Sequence, residues 1–390
     1  MGCVGCEPDG VCTHNFKTIL EQEGIFHLLS GEQEVSLPFG EGKTLCLLFS
    51  ANWSRPCKAF IPQLIQAYDA LKNTGRDIEV IFVSYDQDEN GYKEHTKGMP
   101  WLVVPFNVNL QKILGKVYKV SQIPSFISLD VSPKLLAKDV VSLIKDYGAD
   151  AFPFTKNRQE ELKSLDEASR EGGNLDKLFA SGSENSFVSS KGGKIGASEL
   201  VGKTIGLYFG AQWCPPCREF TTQLIEAYND IITNKNQEFE VIFISTDRDL
   251  KEFELNISKM PWLAIPFNSR TRQDLSRIFE VKWIPSLILI GPSGKTISTN
   301  GREIVSLYGA RGFPFTKAKI LEIETSLVKE KDGLPQEIMD CKHEHILKLD
   351  MAKAYICDFC KKHGTFWAYS CDVCGYDLHP TCIKASILKD

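Results

Sequence analysis

The chain has 390 residues, 43% of them hydrophobic and 24% charged, which are ordinary globular proportions and leave room for two or three domains. Its net charge of −5 argues against nucleic acid as the main partner, because phosphate binding needs a basic surface. No apolar run approaches the ~18 residues of a spanning helix, so no membrane span is expected.

The N-terminus, Met1 to Glu7, has neither a basic n-region nor an apolar h-region, and Cys6 stands where an acylation pattern needs Ser or Thr. A secretory signal is therefore not expected, and on that expectation thirteen cysteines point to metal and redox chemistry rather than a disulfide framework. Residues 1–15 hold Cys3, Cys6 and Cys12 among Gly, Pro and Asp and read as a flexible tail. Cys3 and Cys6 form a C-x-x-C with no strand or helix pattern around it.

A first unit runs from 16 to 163, and a second, from 175 to 327, repeats it. Phe49, Trp53, Cys57, Leu64, Ile65 and Tyr68 return 160 positions later as Phe209, Trp213, Cys217, Leu224, Ile225 and Tyr228. After one inserted residue the register is 161: Met99-Pro100-Trp101 returns as Met260-Pro261-Trp262, and Ile123-Pro124-Ser125 as Ile284-Pro285-Ser286. So long a period means a duplicated domain, not a solenoid. Within each copy short β-branched runs alternate with helical patterns, which predicts an α/β sheet covered on both faces. Lys156–Arg170 is charged and helical in pattern, Glu171-Gly172-Gly173-Asn174 breaks it, and 164–174 reads as the linker between the copies.

In the second copy an apolar β-type run, Ile205 to Phe209, leads into Trp213-Cys214-Pro215-Pro216-Cys217 and then a helical pattern with Phe220, Leu224, Ile225, Ala227 and Tyr228 on one face. Two cysteines two residues apart form a redox pair if the first sits at a helix N-terminus, where unpaired N–H groups and the macrodipole favour thiolate. A free thiol is only about 3% ionised at neutral pH; lowering its pKa to ~7 ionises about half of it. Pro216 stiffens the first turn without removing a needed donor. Half of a zinc site is the competing reading. Against it stand the rigid Trp and double-proline flanks, the lack of a second Cys or His pair within the next 100 residues, and the strand-then-helix setting. Cys214 is thus the expected attacking thiol and Cys217 the resolving one. A cis bond at Ile284-Pro285 would hold a loop open beside Cys214 and let the Ile284 backbone meet a substrate strand.

The first copy has Trp53-Ser54-Arg55-Pro56-Cys57 at the same place. A serine hydroxyl neither ionises near pH 7 nor forms a mixed disulfide, so this unit is expected not to reduce disulfides. Cys46 reads as a buried apolar residue.

After Pro335 the composition changes. Cys341, His343 and His345 precede Cys357-x2-Cys360, Cys371-x2-Cys374 and His379-x2-Cys382, within 336–386. Paired cysteines closed by His-x2-Cys are a strong signal for structural zinc. Disulfides would leave the histidines unexplained, and so short a segment needs metal to offset its small core. Two zinc ions are expected, and their removal is expected to melt this segment alone.

Together these features resemble the plant-type nucleoredoxins: two tandem thioredoxin-like folds, each a central mixed sheet flanked by helices, followed by a small zinc-stabilised C1-like domain. The resemblance covers nearly all of the chain beyond the tail. Trp213 to Cys217 looks like the active site shared by nucleoredoxins and tryparedoxins. It implies a protein-disulfide reductase in which Cys214 attacks, Cys217 resolves, Trp213 flanks the thiol and Pro285 is the cis-proline. It further implies oxidised client proteins, reducing equivalents from NADPH through a thioredoxin reductase not bound by this chain, and a cytoplasmic or nuclear setting. The C1 pattern interleaves its sites: Cys357, Cys360, His379 and Cys382 would hold one zinc, and His345, Cys371 and Cys374 the other. The ordinary fourth ligand of the second set would fall at Asp390, so Cys341 or His343 takes its place; lipid binding does not follow.

Two departures stand out. The buried carboxylate that thioredoxins place six residues before the first cysteine is Tyr208 here, which leaves the proton acceptor for Cys217 open, and Ser54 leaves one site where the repeat suggests two. The rival reading is a client-binding or redox-sensing scaffold. A peroxidase reading is weaker, since that chemistry uses a pocket around one sulfenate-forming cysteine.

Overall fold

The computed structural model describes residues 16–36, 43–129, 135–137, 139–172, 178–179, 186–189, 194–234 and 238–387. The expected tail at 1–15, with Cys3, Cys6 and Cys12, and Asp390 lie outside them. The chain divides into two compact units, 1–165 and 166–390.

In the second unit the strand Thr204–Gly210 is buried at all seven positions. It lies inside a seven-stranded sheet, parallel to Phe239–Ser245 on one side and antiparallel to Ser286–Ile290 on the other. A strand covered on both faces takes few polar side chains, which is why Ile205 to Phe209 reads as an apolar run. Alternate side chains feed two cores. Tyr208, Val241, Phe243, Leu287 and Leu289 pack with Phe220, Leu224, Ala227 and Ile231 of the helix Pro215–Asn234, whereas Ile205, Leu207, Phe209, Ile242, Ile244 and Ile288 face the opposite layer.

The first unit repeats this design: its sheet has the same strand order, centred on Thr44–Ser50 between Ile78–Ser84 and Ser125–Leu129, and the helix Arg55–Asn73 follows the central strand. The Ile284–Pro285 bond is cis, and so are Ile123–Pro124, Phe152–Pro153 and Phe313–Pro314. The duplicated α/β sheet expected from the repeat is present, as two tandem folds with the mixed sheets that the family resemblance implied.

Residues 164–171, assigned above to the linker, are the last turns of the helix Lys156–Glu171. Asp166 pairs with Arg277 at 2.9 Å and Arg170 with Glu280 at 2.8 Å, so this stretch is held by side-chain bonds.

The C-terminal module has four antiparallel strands, Glu337–Met339, Ile346–Ile356, His363–Cys371 and Tyr376–Leu378, followed by the helix Pro380–Ile387. Its own core is small: Leu347, Tyr355, Ala368, Tyr369, Leu378 and Ile383 with two buried cysteines. A second apolar cluster joins it to the thioredoxin-like fold before it. Phe366 and Trp367 pack with Tyr308 and with Ile323 and Leu327 of the helix Lys317–Lys331. The Trp367 indole N–H donates to the Leu327 carbonyl at 2.9 Å, and the Tyr369 hydroxyl donates to the Pro335 carbonyl at 2.7 Å. This shared wall does not fit a module that melts alone.

Candidate functional site: a thiol pair and two Cys/His sets

Cys214 directly precedes the helix Pro215–Asn234, and its carbonyl accepts from the N–H groups of Cys217 and Arg218 at 3.1 and 3.2 Å. Its sulfur therefore stands at the N-terminal end of a long helix, with Pro216 in the first turn. The two sulfur atoms are 2.7 Å apart, and Cys214 Sγ is 3.9 Å from the Ile284 carbonyl in the cis-proline turn. Cys214 keeps 6% of its surface exposed and Cys217 1%. Ala211 and Ile284 pack against them. Burial first, and then the hydrogen bond to Cys214, pushes the Cys217 thiol up to about 12, so this sulfur holds its proton at neutral pH.

Tyr208 does not replace the missing carboxylate as a base. Burial raises the phenol well above its ordinary value. Its hydroxyl instead donates to the Cys217 carbonyl at 3.0 Å and meets Thr221 Oγ1 at 2.8 Å, which braces the first helical turn.

On the other side of the thiol, Trp213 is 43% exposed yet oriented. Its indole N–H donates to the Thr246 carbonyl at 3.3 Å, and the Arg248 guanidinium lies 5.3 Å from the ring centre. Asp247 holds the loop below. Its carboxylate accepts from the Gln212 backbone N–H at 2.6 Å, the Ser245 hydroxyl at 2.7 Å and the Asn256 amide at 3.2 Å. Asp247 was missed from the sequence, although the signal was present: Asp86 stands 161 residues earlier and makes the same bond to the Asn52 N–H at 2.7 Å.

The first unit presents the outline of this site without its chemistry. Ser54 caps the helix Arg55–Asn73 with its hydroxyl making no capping bond, and Cys57 is fully buried. Trp53 donates to the Tyr85 carbonyl at 3.2 Å, as Trp213 does to Thr246.

In the C-terminal module the ligand-capable residues gather as two sets of four, each with all its donor atoms within 4.8 Å of one another: Cys357, Cys360, His379 and Cys382, and His343, His345, Cys371 and Cys374. His343 rather than Cys341 completes the second set. The His343 ring stacks on Tyr376 at 4.5 Å, whereas Cys341 is exposed and turned to Asp340.

Both sets suit zinc. His379 Nδ1 lies 3.4 Å from Cys360 Sγ and 3.5 Å from Cys382 Sγ, and His345 Nδ1 lies 3.3 Å from Cys374 Sγ. Tetrahedral zinc with Zn–S of about 2.3 Å and Zn–N of about 2.0–2.1 Å places N and S donors about 3.6 Å apart. His379 Nε2 is 3.2 Å from the His363 carbonyl. A carbonyl only accepts, so the proton sits on Nε2 and Nδ1 turns its lone pair toward the sulfurs. A Cβ on Gly364 would lie 2.6 Å from that Nε2, which explains a glycine there. Burial opposes ionisation of Cys357, but the N–H groups of Cys360, His379 and Phe359 outweigh it and bring the thiol down to about 7. His343 does the same for Cys371, also to about 7. The buried His343 Nε2 has no hydrogen-bond partner among the described residues, as a nitrogen reserved for a metal would.

No helix described is long and apolar enough to cross a membrane. A thioredoxin-like family pattern matches residues 42–134 and 202–296, and a C1 domain pattern matches 341–383. The chain is 57% identical over 367 residues to the probable nucleoredoxin 3 of Arabidopsis thaliana, covering 94% of each. It is 47% identical to the probable nucleoredoxin 3 of Oryza sativa subsp. japonica over 87% of this chain and 73% of that one. Among solved structures it matches a tryparedoxin from Trypanosoma brucei, 40% identical over 37% of this chain and 99% of that one, with a TM-score of 0.34. With its two thioredoxin-like regions and C1 domain, the chain belongs to the nucleoredoxin family of thioredoxin-fold oxidoreductases.

Proposed function

We propose that this chain reduces protein disulfides by dithiol exchange at Cys214 and Cys217. The Cys214 thiolate attacks one sulfur of the client disulfide. That bond breaks, the second client sulfur leaves as a thiolate and takes up a proton, and Cys214 remains in a mixed disulfide. Cys217 then loses its proton and attacks Cys214 Sγ. The mixed bond breaks, the client departs as a dithiol with two electrons gained, and the chain keeps the Cys214–Cys217 disulfide. An external dithiol donor resets it; the family resemblance suggests a thioredoxin reductase drawing on NADPH, in the cytoplasm or nucleus.

The observation that carries this reading is the pairing of two sulfurs at 2.7 Å, at a strand-to-helix junction, beside the carbonyl of a cis-proline turn. The raised Cys217 supports the order of events, since the thiol that keeps its proton is not the first attacker. Trp213 and Pro285 frame the access to Cys214 and are assigned to client binding. In the C-terminal module we assign two structural zinc ions to the two Cys/His sets, which would add rigidity where the apolar core is small.

For the first unit the other reading, a client-binding platform without redox chemistry, fits better, because Ser54 replaces the attacking sulfur and Cys57 is buried. Reduction of insulin by dithiothreitol in the presence of the protein tests both assignments. Cys214→Ser is expected to lower turnover at least ~10³-fold, and Cys57→Ser to leave most of it. Turnover indifferent to Cys214→Ser would leave the scaffold reading for the whole chain.

A further inference from the structure

Trp283 stands immediately before Ile284 and the cis Pro285, the turn whose carbonyl lies 3.9 Å from Cys214 Sγ. Its side chain is 77% exposed, the highest value among the large apolar residues described. Its main chain is not loose. The Ser286 hydroxyl donates to the Trp283 carbonyl at 2.9 Å, and Ser286 opens the strand that pairs antiparallel with Phe209. A large indole is therefore held over water on a fixed stem, a few residues from the reacting sulfur. An indole carries one of the largest apolar areas of any side chain, and most of this one faces solvent.

The first unit acts as an internal control. It has the same cis turn, at Ile123–Pro124, and Gln122 in the position of Trp283. Trp53 and Trp213, by contrast, occur in both copies and are tied to the following loop in both. The exposed indole before the cis-proline thus accompanies the thiol pair, whereas the tryptophan before the first motif position does not depend on it.

We propose that Trp283 determines substrate specificity: it covers an apolar or aromatic side chain next to the disulfide cysteine of an extended client segment, while the client backbone runs beside Ile284. This rests on the disulfide-reductase reading above. The substrate class is then disulfides in polypeptide segments with an exposed Phe, Tyr or Leu beside the cysteine. A small disulfide offers the indole nothing to cover and reacts at the thiol pair alone.

Three substrates separate the outcomes, with dithiothreitol as reductant and the full chain as enzyme: a peptide disulfide with Phe beside the cysteine, the same peptide with Gly there, and hydroxyethyl disulfide. The unsubstituted protein is expected to prefer the Phe peptide about tenfold in kcat/KM, almost all of it in KM, as for binding equal in ground and transition states. Trp283→Gln is expected to remove that preference and to leave hydroxyethyl disulfide within about twofold. Trp283→Phe, which keeps a flat apolar ring, is expected to retain at least about half of the preference. No preference in the unsubstituted protein, or an equal fall on all three substrates in Trp283→Gln, overturns this role and leaves the reductase reading intact. An unsubstituted protein that reduces none of the three overturns that reading and this role with it.

Discussion

The two thioredoxin-like units share a strand order and a pair of cis-proline turns, yet they differ at positions that move together. The second has Tyr208, Gly210, Cys214 and Asn256; the first has Leu48, Ser50, Ser54 and His95 in the same places. Tyr208 and Gly210 are coupled by space, because a Cβ on Gly210 would lie 2.8 Å from the Tyr208 hydroxyl. With the shorter Leu48 that space is free, and Ser50 fills it, 3.4 Å from His95 Nε2. The His95 ring also replaces the Asn256 amide, with Nδ1 3.2 Å from Asp86 as Asn256 Nδ2 is 3.2 Å from Asp247. The aspartate that holds the loop is common to both copies. Serine in place of the first cysteine thus goes with a different set of contacts beneath the motif, not with decay of the fold.

The largest expected effect comes from returning the missing atom. Ser54 and Cys214 are each 6% exposed, and the Ser54 hydroxyl makes no capping bond, so a cysteine there gives up no contact of that kind. Ser54→Cys in a Cys214→Ser background is expected to restore reduction of hydroxyethyl disulfide to at least about a tenth of the original rate, given a paired thiol at a helix start. A protein that stays inactive would show that Tyr208 and its neighbours, and not the sulfur alone, make the difference. Next comes Gly210→Ser, which forces a side chain against Tyr208 and is expected to cost the second unit about 1–3 kcal/mol, read from urea unfolding. Adding Tyr208→Leu should recover most of that loss; if it does not, the two positions are not coupled in the way described.

The smallest effect concerns His95. Burial lowers its pKa below the ordinary value, against the nearby Asp86, with Lys58 adding to the lowering. The folded form therefore holds this proton less tightly than the unfolded chain, and the first unit loses stability as pH falls from about 6.5 toward the lower folded value. Protection of the amides in the strand Thr44–Ser50, taken relative to their intrinsic exchange rates at each pH, should fall over that interval by no more than one proton allows, about 1.4 kcal/mol per pH unit. His95→Asn, which copies the second unit, should flatten this response. A slope that survives the substitution would move its origin elsewhere.

The repeat, the thiol pair and the Cys/His spacing were legible because each is a matter of residue identity at fixed intervals. The cis-proline position was legible for the same reason. What decided the remaining features was space, which intervals do not carry. Cys341 and His343 are two residues apart and both able to ligate a metal, and the set is settled in space, where His343, stacked on Tyr376, brings its donor atom to His345, Cys371 and Cys374. The stretch 164–174 looked like a linker because of its glycines, but the ion pairs of Asp166 and Arg170 draw on partners more than 100 residues away. Nothing local to Trp367 announces that its indole bonds to Leu327.

The helix Lys317–Lys331 belongs to two folds at once, with Ile323 and Leu327 roofed by Phe366 and Trp367. Anyone shortening this protein at residue 334 would strip a tryptophan and a phenylalanine from that roof and leave a greasy strip facing solvent. Clumping of such a fragment in the test tube would say nothing about its thiols, and a fragment ending there needs polar replacements at Ile323 and Leu327 first.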